Sequence, residues 1–121
     1  MKQSGNLVVD KSKAFAVRTI RLYQYLQKHN EFVLSKQLLR SGTSIGANVK
    51  EGVRGQSTKD FRAKMNIALK EASESEYWLE LLVETNYIDQ NQYESMNTDC
   101  VELIKILTAI LKTSENNLNK D

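Results

Sequence analysis

The chain reads as all-α: an antiparallel up-down-up-down four-helix bundle. Three observations predict this. Apolar residues recur at helical spacing in four separate segments, no segment alternates with the period of a strand, and the 121 residues include no proline. The connections are only a few residues long, which places consecutive helices side by side and running in opposite directions.

The first helix is expected over about residues 11–28. Asp10 or Ser12 offers a capping oxygen, and Phe15, Ala16, Thr19, Ile20, Leu22, Tyr23 and Leu26 share one face. His29-Asn30-Glu31 interrupts the pattern, and a second helix follows over about 33–54. Gly55-Gln56 closes it with a residue able to take the left-handed conformation. Ser57, with Asp60 three residues on, resembles a capping box for a third helix over about 58–86. Its core stripe is Phe61, Met65, Ala68, Leu69, Ala72, Leu79 and Val83. Tyr87-Ile88-Asp89 is a short connection in which Asp89 can cap a fourth helix over about 89–112. There Tyr93, Met96, Cys100, Leu103, Ile104, Leu107 and Leu111 recur at heptad-like steps. The polar tail, 114–121, is expected to fray.

The second helix needs the closest argument, because four of the five glycines fall between positions 42 and 55. Glycines beside Lys50 and Arg54 suggest a loop that cradles phosphate. A P-loop needs Gly-Lys followed by Ser or Thr five residues after its first glycine. That count reaches Ala47 from Gly42 and Glu51 from Gly46, so the motif is absent. No glycine lies two residues from another, so the dinucleotide pattern is absent too. At ~100° per residue, Leu34, Leu38, Leu39, Gly42, Ile45, Gly46, Val49, Gly52 and Val53 fall within about 140° of arc. Lys36, Arg40, Thr43, Ala47, Lys50 and Arg54 fall opposite. A loop would not sort its residues this way. Each interior glycine costs a helix about 1 kcal/mol relative to alanine, so packing must repay the cost, with glycines where two helices approach closely.

One domain accounts for the whole chain, and its length suffices to bury a core. No apolar run approaches the ~18 residues of a membrane span. Leu7-Val8-Val9 is too short for a signal sequence, so a cytoplasmic location is expected. Cys100 is the lone cysteine and lies on an apolar stripe, as a buried small hydrophobe does. Val17, Tyr25, Ile67, Tyr77, Trp78, Leu81 and Ile106 remain once the bundle core is filled. Scattered exposed apolar residues are ordinary, yet a Trp-Tyr-Leu-Ile cluster on one helix points to an oligomer interface through Val17, Tyr25, Ile67, Tyr77, Trp78 and Leu81.

Several linked segments carry a family resemblance. Leu38-Leu39-Arg40-Ser41-Gly42-Thr43-Ser44-Ile45-Gly46-Ala47-Asn48-Val49-Lys50-Glu51 closely resembles the signature of the 23S ribosomal RNA intervening-sequence proteins. Ser57-Thr58-Lys59-Asp60-Phe61, Ala68 with Lys70-Glu71-Ala72, and Glu76-Tyr77-Trp78-Leu79 continue it in order. The resemblance implies a small bundle assembling as a homopentameric ring. It also brings in the similar accessory variability proteins of diversity-generating retroelements, which form basic barrels and associate with nucleic acid and a reverse transcriptase. Family likeness supports fold better than function.

Charge is segregated along the chain. Residues 1–70 hold fourteen Lys and Arg against four acids, a net +10, whereas 71–121 hold three against eleven, a net −8. In an up-down bundle one pole gathers Lys11, Lys13, Arg18, Lys50, Arg54, Lys59, Arg62, Lys64 and Lys112, against Asp10, Glu51 and Asp60. The other gathers Glu80, Glu84, Asp89, Glu94 and Asp99, against Lys28 and Lys36. The third helix runs from cationic to acidic, the reverse of what its dipole favours. Two functional readings follow. In the first, Arg18, Arg21, Arg40, Lys50, Arg54, Lys59 and Arg62 meet nucleic-acid phosphates. In the second, the surface docks a protein such as a reverse transcriptase. An enzyme is not expected, and no catalytic residue or cofactor is assigned. Di-iron bundles need Glu-x-x-His pairs, and His29 is the lone histidine. Glu71, Glu74, Glu80 and Glu84 read as solvated or paired with the basic helix. Glu76, at the core edge, is expected to pair with a Lys or Arg.

Overall fold

The computed structural model describes residues 6–119, with side chains from Asn6 to Asn117. Four helices account for nearly all of them: α1 Leu7–Lys28, α2 Leu34–Val53, α3 Thr58–Glu84 and α4 Gln90–Asn119. No strand occurs among the described residues.

α1 begins four residues before the expected position. Asn6 caps it, its Oδ1 accepting from the Val9 amide at 3.4 Å, so Asp10 and Ser12 lie inside the helix and Val8 joins the core. The end of α4 corrects the sequence reading as well. The helix runs on to Asn119, because Ser114 continues the buried line of Leu107 and Leu111 and no proline or glycine stops it. The tail expected from residue 114 is thus helical through residue 119, and residues 120–121 lie outside the described part. α3 stops at Glu84, two residues short of expectation, since Asn86 turns left-handed at φ 67°. Asn30 does the same after α1 at φ 64°, a conformation asparagine tolerates better than most residues.

The expected caps of α3 and α4 are present. Ser57 Oγ accepts from the Asp60 amide at 3.1 Å. Asp89 Oδ1 accepts from the Gln92 amide at 2.7 Å while Gln92 Oε1 accepts from Asp89 N–H at 2.8 Å, a reciprocal box. The start of α2 is built differently. Buried Glu31 turns its carboxylate onto the amides of Val33, Leu34 and Ser35 at 3.1, 2.8 and 2.6 Å. Burial raises the Glu31 pKa, but those three hydrogen bonds outweigh it and hold the group below its ordinary value.

The helix backbones approach one another in a cycle, α1–α2–α3–α4–α1, and neither diagonal pair comes within 8 Å between Cα atoms among the described residues. Thr19 lies against Gly42 and Ser12 against Gly46, so numbers rise along α2 as they fall along α1. Ser41 against Ser75 and Glu51 against Lys64 repeat that opposed order between α2 and α3. Leu26, Ile45, Val49, Met65, Leu79, Leu82 and Leu107 are fully enclosed. Burial of each such side chain contributes about 1.5–3 kcal/mol, enough to offset the three helical glycines. Val53, expected inward, is 45% exposed, and Ile20 is 41% exposed. Ser12, Ser35, Ser41 and Ser75 take core positions instead, and Thr19 is buried as its place on the inward face of α1 predicts.

The glycine segment is therefore helical, and its glycines are close-approach points. A Cβ on Gly42 would stand 2.6 Å from Thr19 Cγ2 and Oγ1, and one on Gly46 would stand 3.3 Å from the Ser12 carbonyl oxygen.

Candidate nucleic-acid interface

The seven cations expected to meet phosphate do not form one patch. Arg18 is engaged across the α1–α4 seam, donating to Asp99 Oδ2 at 2.6 Å, Ser95 Oγ at 2.6 Å and Ser95 O at 3.1 Å. Arg40 reaches across to α3, where its guanidinium meets Glu71 at 3.2 Å and Glu74 at 3.4 Å. The Glu71 carboxylate, followed by hydrogen bonding to Glu74 and Glu71, holds the Arg40 pKa above its ordinary value despite partial desolvation. Of the wider basic pole, Lys11 pairs with Glu102 at 2.5 Å and Lys64 with Glu51 at 2.9 Å. Four cations of the first seventy residues are thus tied to acids on a neighbouring helix.

The rest are distributed by place. Arg21 borders a groove between α1 and α4 with Leu22, Tyr25 and Met96. Arg54, Lys59 and Arg62 surround the α2–α3 turn, where α2 ends and α3 begins. No ion pair engages those three, Lys50 or Lys13 among the described residues. Arg62 is half-buried, and its Nε is enclosed without a hydrogen-bond partner. Phe61 and Thr58 at the start of α3 share a groove with Ile110 and Ser114 near the end of α4. Exposed Lys112 therefore belongs to the same end of the molecule as Lys59.

Lys50 and Arg54 also border a groove of about 600 Å³ along the outer seam of α1 and α2. Its floor is small and apolar, made by Val9, Ala16, Gly46, Ala47 and Val53, while Lys13 stands on the α1 side. Lys13 was not among the expected binding residues. The signal was present in the sequence: Val9, Lys13 and Ala16 recur at helical spacing, as do Gly46, Lys50 and Val53.

The remaining chemistry is quiet. Cys100 is fully buried, and its thiol donates to the Ala72 carbonyl at 3.2 Å. Burial first, then the charges of Glu76 and Asp99, push its pKa up to about 12, which removes thiolate reactivity near neutral pH. Tyr93 is raised by burial and then by Glu80 and Glu76. Glu76 forms no ion pair with a Lys or Arg among the described residues, contrary to expectation, and its charge acts instead on Tyr93 and Cys100 of α4. His29 stacks on Tyr25 with ring centroids 4.0 Å apart. No group of three His, Cys, Asp or Glu suited to a metal ion occurs among the described residues. No helix there is long and apolar enough to cross a membrane. Of the expected interface residues, Ile67 and Tyr77 are exposed, while Val17, Tyr25, Trp78 and Leu81 are half-buried.

Fold and surface together define an all-α four-helix protein with glycine-tightened seams and a cationic end. Within that class, the family model for the 23S rRNA-intervening sequence protein matches residues 5–109, and the chain belongs to that family. A crystal structure from Bacteroides thetaiotaomicron, described as a protein with unknown function from the S23 ribosomal protein family, is similar throughout. The two share 58% identity over 87% of this chain and 98% of the other, with a TM-score of 0.85. No curated protein matches the chain.

Proposed function

We propose that this chain is a non-enzymatic, cytoplasmic bundle of antiparallel up-down-up-down topology. It assembles with copies of itself as a ring, pentameric as the family resemblance implies, and binds nucleic acid through its cationic end. The observation that carries the binding reading is the set of Arg54, Lys59, Arg62 and Lys112 at one end of the molecule, none held by an acid among the described residues. The opposed residue order across the α1–α2 and α2–α3 contacts supports the topology. Exposed Ile67 and Tyr77 support self-association.

Binding of this kind is mainly electrostatic and weakly selective for sequence, because the contacts are to phosphates. Repetition of the cationic end in an oligomer multiplies the effect. Fluorescence anisotropy with RNA and DNA across a salt series tests it. Affinity falls steeply with salt, and Arg54→Glu with Lys59→Glu removes most of it. Arg18→Glu and Arg40→Glu, whose guanidinium groups are already committed to Asp99 and Glu71, change it much less. Salt-insensitive binding, or an Arg40→Glu loss larger than that of the Arg54 and Lys59 pair, overturns the reading. The competing role is a protein scaffold, for example beside a reverse transcriptase. A stoichiometric protein partner recovered without nucleic acid would favour it.

A further inference from the structure

A polyanion gains nothing from the apolar floor of the α1–α2 groove. Phosphates and sugars are satisfied by cations and water, whereas Val9, Ala16, Ala47 and Val53 reward an occupant with an apolar body. The groove's length along the two helices is about three turns, from the ~1.5 Å rise per residue. Its rim carries Lys13 on α1 and Lys50 and Arg54 on α2, with Asp10 as the one acid. The occupant that fits is an apolar helical ridge flanked by acids on both sides.

The same chain displays one. On the outer face of α3, Tyr77 is 53% exposed, and Leu81, one turn on, is half-buried. Glu74 stands one turn before Tyr77, while Glu80 and Glu84 lie three and seven residues after it, both exposed. Glu74 leans toward Arg40, and no ion pair engages Glu80 or Glu84 among the described residues. An apolar ridge between acids is the counterpart of an apolar floor between cations.

We infer that the α3 ridge of one copy docks in the α1–α2 groove of another. The inference rests on the self-association proposed above and names the two surfaces that perform it. Because ridge and groove are different surfaces, the contact is heterologous: each copy offers one of each, and the chain of contacts closes into a ring when the rotation permits. Lys13 and Lys50 then face Glu80 and Glu84 of the neighbour. Arg54 sits at the groove's end, beside Lys59 and Arg62, and remains available to a polyanion.

Static light scattering on three proteins tests this. Wild type gives a multimer. A groove variant, Ala47→Glu with Lys50→Glu, and a ridge variant, Tyr77→Lys with Glu80→Lys, each give the mass of a single chain. Mixed one to one, they give a species of two chains, since the groove variant keeps its ridge and the ridge variant keeps its groove. Tyr77, Glu80, Ala47 and Lys50 are all exposed, so helical circular dichroism stays at the wild-type level. Ala47→Trp, which fills the groove without added charge, is the second groove probe should the first fail to fold. A monomeric wild type overturns self-association altogether. A multimeric wild type whose groove variants also assemble, while the ridge variant does not, leaves self-association standing and overturns the groove as its partner surface.

Discussion

Helix α1 makes two seams by different means. Against α2 the backbones are drawn together: Gly42 lies under Thr19 and Gly46 under the Ser12 carbonyl, with no room for a methyl group at position 42. Against α4 the contact is the least extensive in the cycle, and long side chains bridge it, Arg18 to Asp99 and Lys11 to Glu102. Close packing is steep in distance and indifferent to salt. Ion pairs half open to water are shallow in distance and weakened by salt. The first seam fixes the fold, and the second leaves a groove beside Arg21.

The sharpest way to break this contrast is Gly42→Ala. Alanine gains about 1 kcal/mol of helix propensity, but its methyl would meet Thr19 at 2.6 Å. Rotation of Thr19 gives no escape, because its Cβ itself would stand at 3.0 Å and its Oγ1 is held by the Phe15 carbonyl at 2.9 Å. Overpacking of this kind costs about 1–3 kcal/mol, so a net loss of roughly 1–2 kcal/mol is expected in urea unfolding. Thr19→Ala restores most of it in the double variant, a coupling that a double-mutant cycle measures. Gly52 offers a milder comparison, since a Cβ there would meet the flexible Met65 Cε at 2.9 Å and Lys64 Cβ at 3.1 Å, with one of the two close atoms free to move. If Gly42→Ala cost no more than Gly52→Ala, the α1–α2 seam would not be set by close approach.

The turn between α1 and α2 predicts a comparable but pH-dependent effect. Glu31→Gln keeps the shape and removes the charge from the three amides at the start of α2, with an expected loss of about 1–2 kcal/mol at pH 7. The sign follows from the lowered pKa. A carboxylate depressed in the folded state stabilises it above the ordinary glutamate pKa, about 4.3. That contribution fades as pH falls below this value and through the folded pKa. Chemical denaturation of wild type and variant from pH 7 down to about 3 should therefore converge at the acid end. A constant gap would assign the loss to packing.

What could be read in the sequence divides along the same line. The apolar faces, the glycine helix and the caps at Ser57 and Asp89 were legible, because periodicity and short-range hydrogen bonding belong to the local chain. The buried serines were not. Ser41 and Ser75 look polar in a list, yet they meet at 2.8 Å inside the core, each also bonded to a carbonyl of its own helix. The start of α1 was not legible, because Asp10 and Ser12 offer capping oxygens nearer the periodic face and Leu7-Val8-Val9 reads only as a run too short for a signal sequence. Glu31 was read as part of a break, when its carboxylate is the cap. At the candidate site, the cationic end was legible from charge segregation. Which cations were already taken was not, since Arg18–Asp99 and Arg40–Glu71 depend on the register between helices distant in sequence.

The smallest effect belongs to the second seam. Arg18→Met removes the ion pair to Asp99 and the hydrogen bonds to Ser95 while keeping the aliphatic stem. Both partners are more than a third exposed on their side chains, at 37% and 47%, so water already screens much of the attraction. An exposed pair contributes about 0–1 kcal/mol, and the expected loss in low salt stays within that range. Raising the salt to about 1 M shortens the screening length to ~3 Å and brings wild type toward the variant. Gly42→Ala over the same salt series keeps its deficit, since overpacking has no charge to screen. Equal salt responses in the two variants would mean that α1 is held to both neighbours by the same physics. A flat Gly42→Ala response beside a shrinking Arg18→Met deficit would confirm that one face of α1 is set by contact and the other by charge.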